Sequence, residues 1–215
     1  MAFLVFGLGL LVNIETLQTN HDAKAQVAAL AKGSDKTGGG TGGTASIPSE
    51  TKPDSHSYAA YQVAPNLPKY LKIPKLGVSA RVLQVGVTST GDLGTPTNIY
   101  DTAWYTGSAH PGDLGNLGAV LIDGHVHGPT LPGVFMNIKK LVPGDTLQIV
   151  RGDNVVFSYR VMKVQNYDAS TMNMAMMLAS VQSGIPGLNL ITCGGPFDTK
   201  TNEYTQRTAV FAVQY

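Results

Sequence analysis

The sequence predicts a mostly β domain, closed or nearly closed into a barrel, and three features of the chain lead there. Turn-forming pairs, Pro111-Gly112, Pro132-Gly133 and Pro143-Gly144, punctuate a chain that holds 25 Gly and 12 Pro. Between such pairs lie about seven or eight short runs of β-type pattern. Only two short stretches have helical character, too few to supply the crossovers of a doubly wound parallel sheet.

The folded domain is expected over residues 67–215, a length sufficient for one hydrophobic core. Tyr70-Leu71-Lys72-Ile73-Pro74 opens the series of strands. In the next run Val78, Ala80, Val82, Val85 and Val87 are apolar, the partly alternating pattern of a strand with one buried face. Ala119 to Ile122, Thr146 to Val150, Val155 to Val164, Leu188 to Thr192 and Thr208 to Val213 complete the set. The two helical stretches are a short one around Val134 to Leu141 and a Met-rich one from Ser170 to Gln182, stopped by Gly184 and Pro186.

The first third of the chain reads differently. Met1 to Val12 is apolar and uncharged. As a helix it covers about 18 Å of a hydrocarbon core about 30 Å thick, so it does not span a bilayer by itself. It lacks the basic start and small-residue cleavage pattern of a signal peptide. The preferred reading of residues 1–30 is the exported end of an uncleaved signal-anchor that begins upstream, continuing into a helix; the alternative is an interfacial or packed helix. Residues 31–66, which include Gly-Ser-Asp-Lys-Thr-Gly-Gly-Gly-Thr-Gly-Gly-Thr-Ala-Ser, read as a flexible linker with a reach of about 30 Å. A net charge of +1 with 13% charged residues offers no basic stripe, and no nucleic-acid partner is expected.

Chemistry concentrates on the single cysteine, Cys193, in Leu190-Ile191-Thr192-Cys193-Gly194-Gly195, where an apolar β-type run meets a turn. One cysteine excludes an internal disulfide and leaves an inert buried thiol, an intermolecular bridge or a nucleophile. A thiolate needs a group to exchange protons, and its tetrahedral adduct needs a charge or donor beside the oxyanion. His125, in Asp123-Gly124-His125 at the end of one strand, and Arg207, in Gln206-Arg207-Thr208 at the start of another, supply those roles. With reference values near 8.5 for Cys and 6.5 for His, the thiolate-imidazolium pair is about 1% of the neutral pair, a cost of roughly 2.7 kcal/mol. Most resting molecules are therefore expected to carry neutral thiol and neutral imidazole.

Several of these segments together resemble the sortase family: Ala103-Trp104-Tyr105, Pro111-Gly112, Gly115-Asn116, Leu121-Ile122-Asp123-Gly124-His125, Val142-Pro143-Gly144-Asp145, Asn189-Leu190-Ile191-Thr192-Cys193, and Arg207 leading into Ala209-Val210-Phe211-Ala212-Val213. The resemblance implies an eight-stranded β-barrel with one or two short helices in which His125, Cys193 and Arg207 converge. It also implies cysteine transpeptidase activity: cleavage of a Leu-Pro-x-Thr-Gly-like sorting motif near the C-terminus of a surface protein, through a thioester, and transfer to an amine of a peptidoglycan precursor or a pilin lysine. Cys193 is then the nucleophile, His125 the proton-transfer group and Arg207 the oxyanion and substrate partner. Thr192, Met174 and Met177 are candidate substrate-binding residues. The expected location is the cell membrane, reached through the N-terminus, with the catalytic domain on the extracytoplasmic face.

The sequence departs from the family pattern at Asn189, where Thr usually begins the motif. Gly194-Gly195-Pro196-Phe197-Asp198 and the Asp-Gly-His form of the histidine motif look more like class D, E and F members than class A. No cofactor is expected. Asp123, His125 and His127 alternate and so imitate a metal site, but Gly124 and Gly128 suggest that the strand ends there. Calcium in the class A manner needs a carboxylate cluster that is not evident among 14 Asp and Glu. Two alternatives to transpeptidation stand beside it: a cysteine peptidase releasing its product to water, and a surface-tethered binding module with an inert Cys193.

Overall fold

The computed structural model describes residues 47–89, 91, 93–199 and 203–215. The chain divides into two units, Met1–Gly40 and Thr41–Tyr215. The apolar segment 1–30, with its anchor reading, and the Gly-rich stretch 33–46 lie outside the described residues.

Eight strands make the barrel: β1 (Pro68–Ile73), β2 (Val78–Val85), β3 (Thr102–Tyr105), β4 (Ala119–Gly124), β5 (Thr146–Arg151), β6 (Val156–Asp168), β7 (Gly187–Asp198) and β8 (Glu203–Gln214). Their order around the barrel is β1-β2-β3-β4-β7-β8-β6-β5, and the pairing of β1 with β5 closes it. The pairs β2/β3 and β4/β7 are parallel, and the other neighbours are antiparallel. This is the expected eight-stranded closed barrel.

Every strand sends alternate side chains inward. Leu71, Val82, Trp104, Ile122, Ile149, Tyr159, Leu190 and Val210, one from each strand, belong to a single buried cluster. Side chains alone fill an interior of this size. Trp104 is 2% exposed, and its indole N–H donates to Ala109 O at 3.2 Å. It is a packing residue.

Three strands are apolar on both faces, which explains why their sequences run without alternation. Leu121 of β4, Ile191 of β7, and Ala209 and Phe211 of β8 form a second buried cluster, outside the barrel, with Tyr105 and Met177. A short helix covers it. The expected helix over Ser170 to Gln182 is found as a 3-10 turn, Ala169–Thr171, followed by a five-residue helix, Met174–Leu178. The difference has a local cause: Asn173 Oδ1 accepts from Ala175 N at 2.9 Å and starts the helix afresh. Asn189, fully buried on β7, then donates its Nδ2 to both Met177 O and Ala179 O at 2.9 Å. Those bonds hold the end of the helix on the sheet.

The other expected helix, around Val134 to Leu141, contracts to a 3-10 turn, Ile138–Lys140. Its first residues pair outward instead, Val134 N to Ile99 O and Phe135 N to His125 O. Within the stretch read as linker, 31–66, the described part carries a helix, Ser55–Ala60, capped by Asp54. Tyr58 stacks on Tyr70 at 4.4 Å, and Tyr61 donates its hydroxyl to Val82 O at 2.6 Å. The aromatic side chains thus give this polar stretch enough contact with β1 and β2 to order it against the barrel wall. The expected boundary at residue 67 therefore lies too late. In keeping with the lengths above, none of the described helices is long and apolar enough to cross a membrane.

Asn189→Ala strips both helix carbonyls of a buried donor. Urea unfolding of this variant should show a loss of about 1–3 kcal/mol, and an unchanged midpoint would mean that the helix is held by its apolar contacts alone.

Candidate active site

Two strand registers assemble the site. Cys193 lies directly opposite Arg207 in the antiparallel β7/β8 pair. In the parallel β4/β7 pair Asp123 lies opposite Ile191, the last pair of that ladder, and His125 follows one residue past the end of β4. Cys193 and Arg207 thus form a row across β7 and β8, and His125 leaves the end of β4, the other neighbour of β7. Cys193 and Arg207 share the outer face with Ile191 and Ala209, their neighbours two residues away on the same strands.

The strands do not end where the sequence suggests. β7 and β8 continue past Cys193 and Arg207 as a long hairpin, with a register shift between Gly194 and Phe197. That bulge inserts one extra residue beside the cysteine and re-aims the chain beyond it. Gly195 occupies it with φ +72°, a backbone conformation that side-chain-bearing residues rarely adopt.

His125 is held at both ends. Its Nε2 donates to Pro96 O at 2.6 Å, because a carbonyl oxygen can only accept, and in the neutral ring Nδ1 is left for proton exchange. Its backbone oxygen accepts from Phe135 N at 2.9 Å in a small hairpin closed by Gly133 N to Val126 O and Gly128 N to Leu131 O. A Cβ on Gly133 would come 2.2 Å from His125 O, so this crossing requires glycine.

Cys193 is half-buried. Thr192, 2% exposed, faces the other way and donates its hydroxyl to Gly124 O at 2.6 Å, binding β7 to the end of β4 beside the row. Its hydroxyl is thereby occupied within the protein. Arg207 is partly buried and donates from one guanidinium nitrogen to Tyr204 O at 2.9 Å and Gln206 O at 3.0 Å, which folds the side chain along its own strand.

Met177 is fully buried beneath the helix and serves packing, whereas Met174 is a half-exposed member of the same apolar layer. Since Ile191 and Ala209 belong to that layer, it adjoins the row. A cavity of about 380 Å³ opens at Cys193, lined also by His127, Lys139, Thr192, Tyr204 and Thr208, and His125 and Arg207 are not among its lining residues. Among the described residues no group of three or more His, Cys, Asp or Glu converges as a metal site. His127 sits on the exposed hairpin and turns its Nδ1 to Gly128 O.

Sequence reasoning noticed Asp123 only as a metal mimic, and it is a titratable group on β4 beside the site. Its carboxyl is half-buried on β4, and burial pushes it up to about 7, against the pull of the Gly124 N–H and the Arg207 charge. Asn189, noticed as a departure from pattern, is the anchor of the neighbouring helix. The signal for both was a polar residue inside an apolar run.

Comparison with known proteins bears on this arrangement. The model of the Sortase domain family matches residues 71–215. Among solved structures, sortase A from Corynebacterium diphtheriae is 17% identical with a TM-score of 0.52, over 69% of this chain and 60% of that chain. Sortase C-1 from Streptococcus pneumoniae is 17% identical with a TM-score of 0.52, over 91% of this chain and 89% of that one. Sortase C1 from Streptococcus agalactiae, in its complex with MTSET, is 16% identical with a TM-score of 0.52, over 94% and 89%. At these identities the likeness is one of fold. A comparison with curated protein sequences returned no match.

Because its native pKa is raised, Asp123 keeps a proton that the unfolded chain has released between about pH 4 and pH 7. Stability should fall as pH rises through that window and level off above it. Asp123→Asn should flatten the slope and add about 1–3 kcal/mol near pH 8, allowing for the partial access of water. Urea melts across the window check this, and parallel wild-type and variant curves would contradict it.

Proposed function

The chain belongs to the sortase family, and we propose that it is a membrane-tethered cysteine transpeptidase acting on the extracytoplasmic face. Its substrate is a surface protein with a C-terminal sorting motif of the Leu-Pro-x-Thr-Gly kind. Its acceptor is an amine, from a peptidoglycan precursor or a pilin lysine. The sequences Gly194-Gly195-Pro196-Phe197-Asp198 and Asp123-Gly124-His125 favour a class D, E or F type.

One observation supports the reading: β7 and β8 pair Cys193 with Arg207, and His125 follows directly on β4, the other neighbour of β7. In this mechanism the Cys193 thiolate attacks the carbonyl carbon of the motif's Thr-Gly bond and forms a carbon–sulfur bond. Negative charge collects on the carbonyl oxygen, where the Arg207 guanidinium stabilises it. Collapse breaks the carbon–nitrogen bond while protonated His125 gives its proton to the departing amine. An incoming amine then attacks the thioester, His125 takes back a proton, and Cys193 leaves as thiolate. The bond from Nε2 to Pro96 O supports this role, since it fixes the orientation of the ring and leaves Nδ1 for proton exchange.

Mass spectrometry of a sorting-motif peptide incubated with the enzyme, with and without an amine acceptor, tests the proposal. Transpeptidation gives the amine adduct in preference to the hydrolysed acid; an acid product alone in the presence of amine would point to the peptidase. Cys193→Ala should abolish turnover and thioester formation, His125→Ala should lower kcat/KM by at least about 100-fold, and Arg207→Ala by about 100- to 1000-fold. Full activity in Cys193→Ala would remove the proposal altogether.

A further inference from the structure

The chain just before the barrel joins the two loops that hold His125. Ser49 bridges to the β2–β3 connection through Ser49 N to Thr97 O at 2.9 Å and Ile99 N to Ser49 O at 3.0 Å. Asn98 Nδ2 adds a bond to Thr51 O at 2.8 Å. That connection supplies Pro96 O, the acceptor of the imidazole.

The next residue, Glu50, reaches the tip of the hairpin that continues from His125. Its Oε1 accepts from Thr130 N at 2.7 Å and Leu131 N at 2.8 Å, and its Oε2 accepts from the Thr130 hydroxyl at 2.5 Å. Two adjacent residues therefore tie both holders of the histidine, one the ring and one the backbone. The two loops also meet directly, through Val134 N to Ile99 O at 2.8 Å.

We propose that Glu50 is a positioning residue for His125, bracing the hairpin from which the imidazole projects against the connection that holds its Nε2. The role of His125 in proton transfer rests on the function proposed above; the brace itself rests on these bonds alone. The carboxylate suits the task because two converging backbone N–H groups and a hydroxyl all donate, and a carboxylate only accepts. In agreement, the Thr130 hydroxyl and amide hold the Glu50 carboxyl below its ordinary range. Without Glu50 the tip residues lose their three bonds, and the hairpin is free to carry His125 out of line with Cys193. A small misplacement of a proton-transfer group costs rate and leaves substrate affinity alone.

The test uses the full chain. Glu50→Ala should lower kcat for acyl transfer by about 10-fold with KM within about twofold. Glu50→Gln, whose amide oxygen can still accept from both backbone N–H groups, should recover most of the loss. Independently of activity, the Nε2–H proton of His125, identified by its disappearance in His125→Ala, should give a slowly exchanging NMR signal that weakens in Glu50→Ala and returns in Glu50→Gln. A signal and kcat both unchanged in Glu50→Ala overturn the proposal. So does a fall in kcat with the signal intact, and so does an amide variant no better than alanine. If wild type turns over no sorting-motif peptide, the functional reading fails while the NMR signal still decides the brace.

Discussion

The hydrogen-bond register of β4, β7 and β8 sets where Cys193 and Arg207 lie and where the chain leads into His125. Cys193 faces Arg207 because β7 and β8 pair at that position, and the β4/β7 ladder runs up to Asp123 and Ile191, two residues before His125 and Cys193. Side chains alternate along a strand, so a slip of one residue in β7 would turn Cys193 into the barrel and bring Thr192 out. The buried bond from Thr192 to Gly124 O stands against such a slip, next to the row itself.

The same three strands are buried on both faces, and the buried polar bonds of Thr192 and Asn189 fit them in one register only. Inside, Ile122, Leu190 and Val210 join the core. Outside, Leu121, Ile191 and Ala209 pack under the helix Met174–Leu178, which Asn189 pins by its two carbonyl bonds. A displaced register would break the bonds of Thr192 to Gly124 O and of Asn189 to the helix carbonyls. The apolar layer stops at Cys193 and Arg207, and Asp123, opposite Ile191, brings a carboxyl to the edge of that layer. Burial there raises the Asp123 carboxyl and leaves Arg207 as its nearby compensating charge.

Beyond the strands, positioning passes to loops. His125 lies one residue past the end of β4, so the ladder fixes its starting point and not its ring. Pro96 O holds the ring, the Gly133 crossing holds the backbone, and the segment around Glu50 joins the two. A residue that leaves the sheet thus regains a defined place through contacts spread over three separate stretches of chain.

The barrel class and most strand positions were legible in the sequence because local pattern carries that information, and residue chemistry singled out His125, Cys193 and Arg207 as the candidates. Apolar runs mark the strands, Pro-Gly pairs mark the turns, and a solitary cysteine after an apolar run stands out against its surroundings. Helix extent was less legible: Asn173 and Asn189 interrupt the Met-rich stretch through contacts that sequence periodicity does not encode. Nor did the polar composition before residue 67 announce that Tyr58, Tyr61 and Glu50 engage the barrel, since a few well-placed side chains can order a stretch whose average composition suggests a linker. By itself the sequence determined which groups are chemically able to act and which segments pair as strands. Only the tertiary structure decided which strands are neighbours, at what register, and how the histidine is held, because those depend on bonds between residues up to 81 positions apart in the chain.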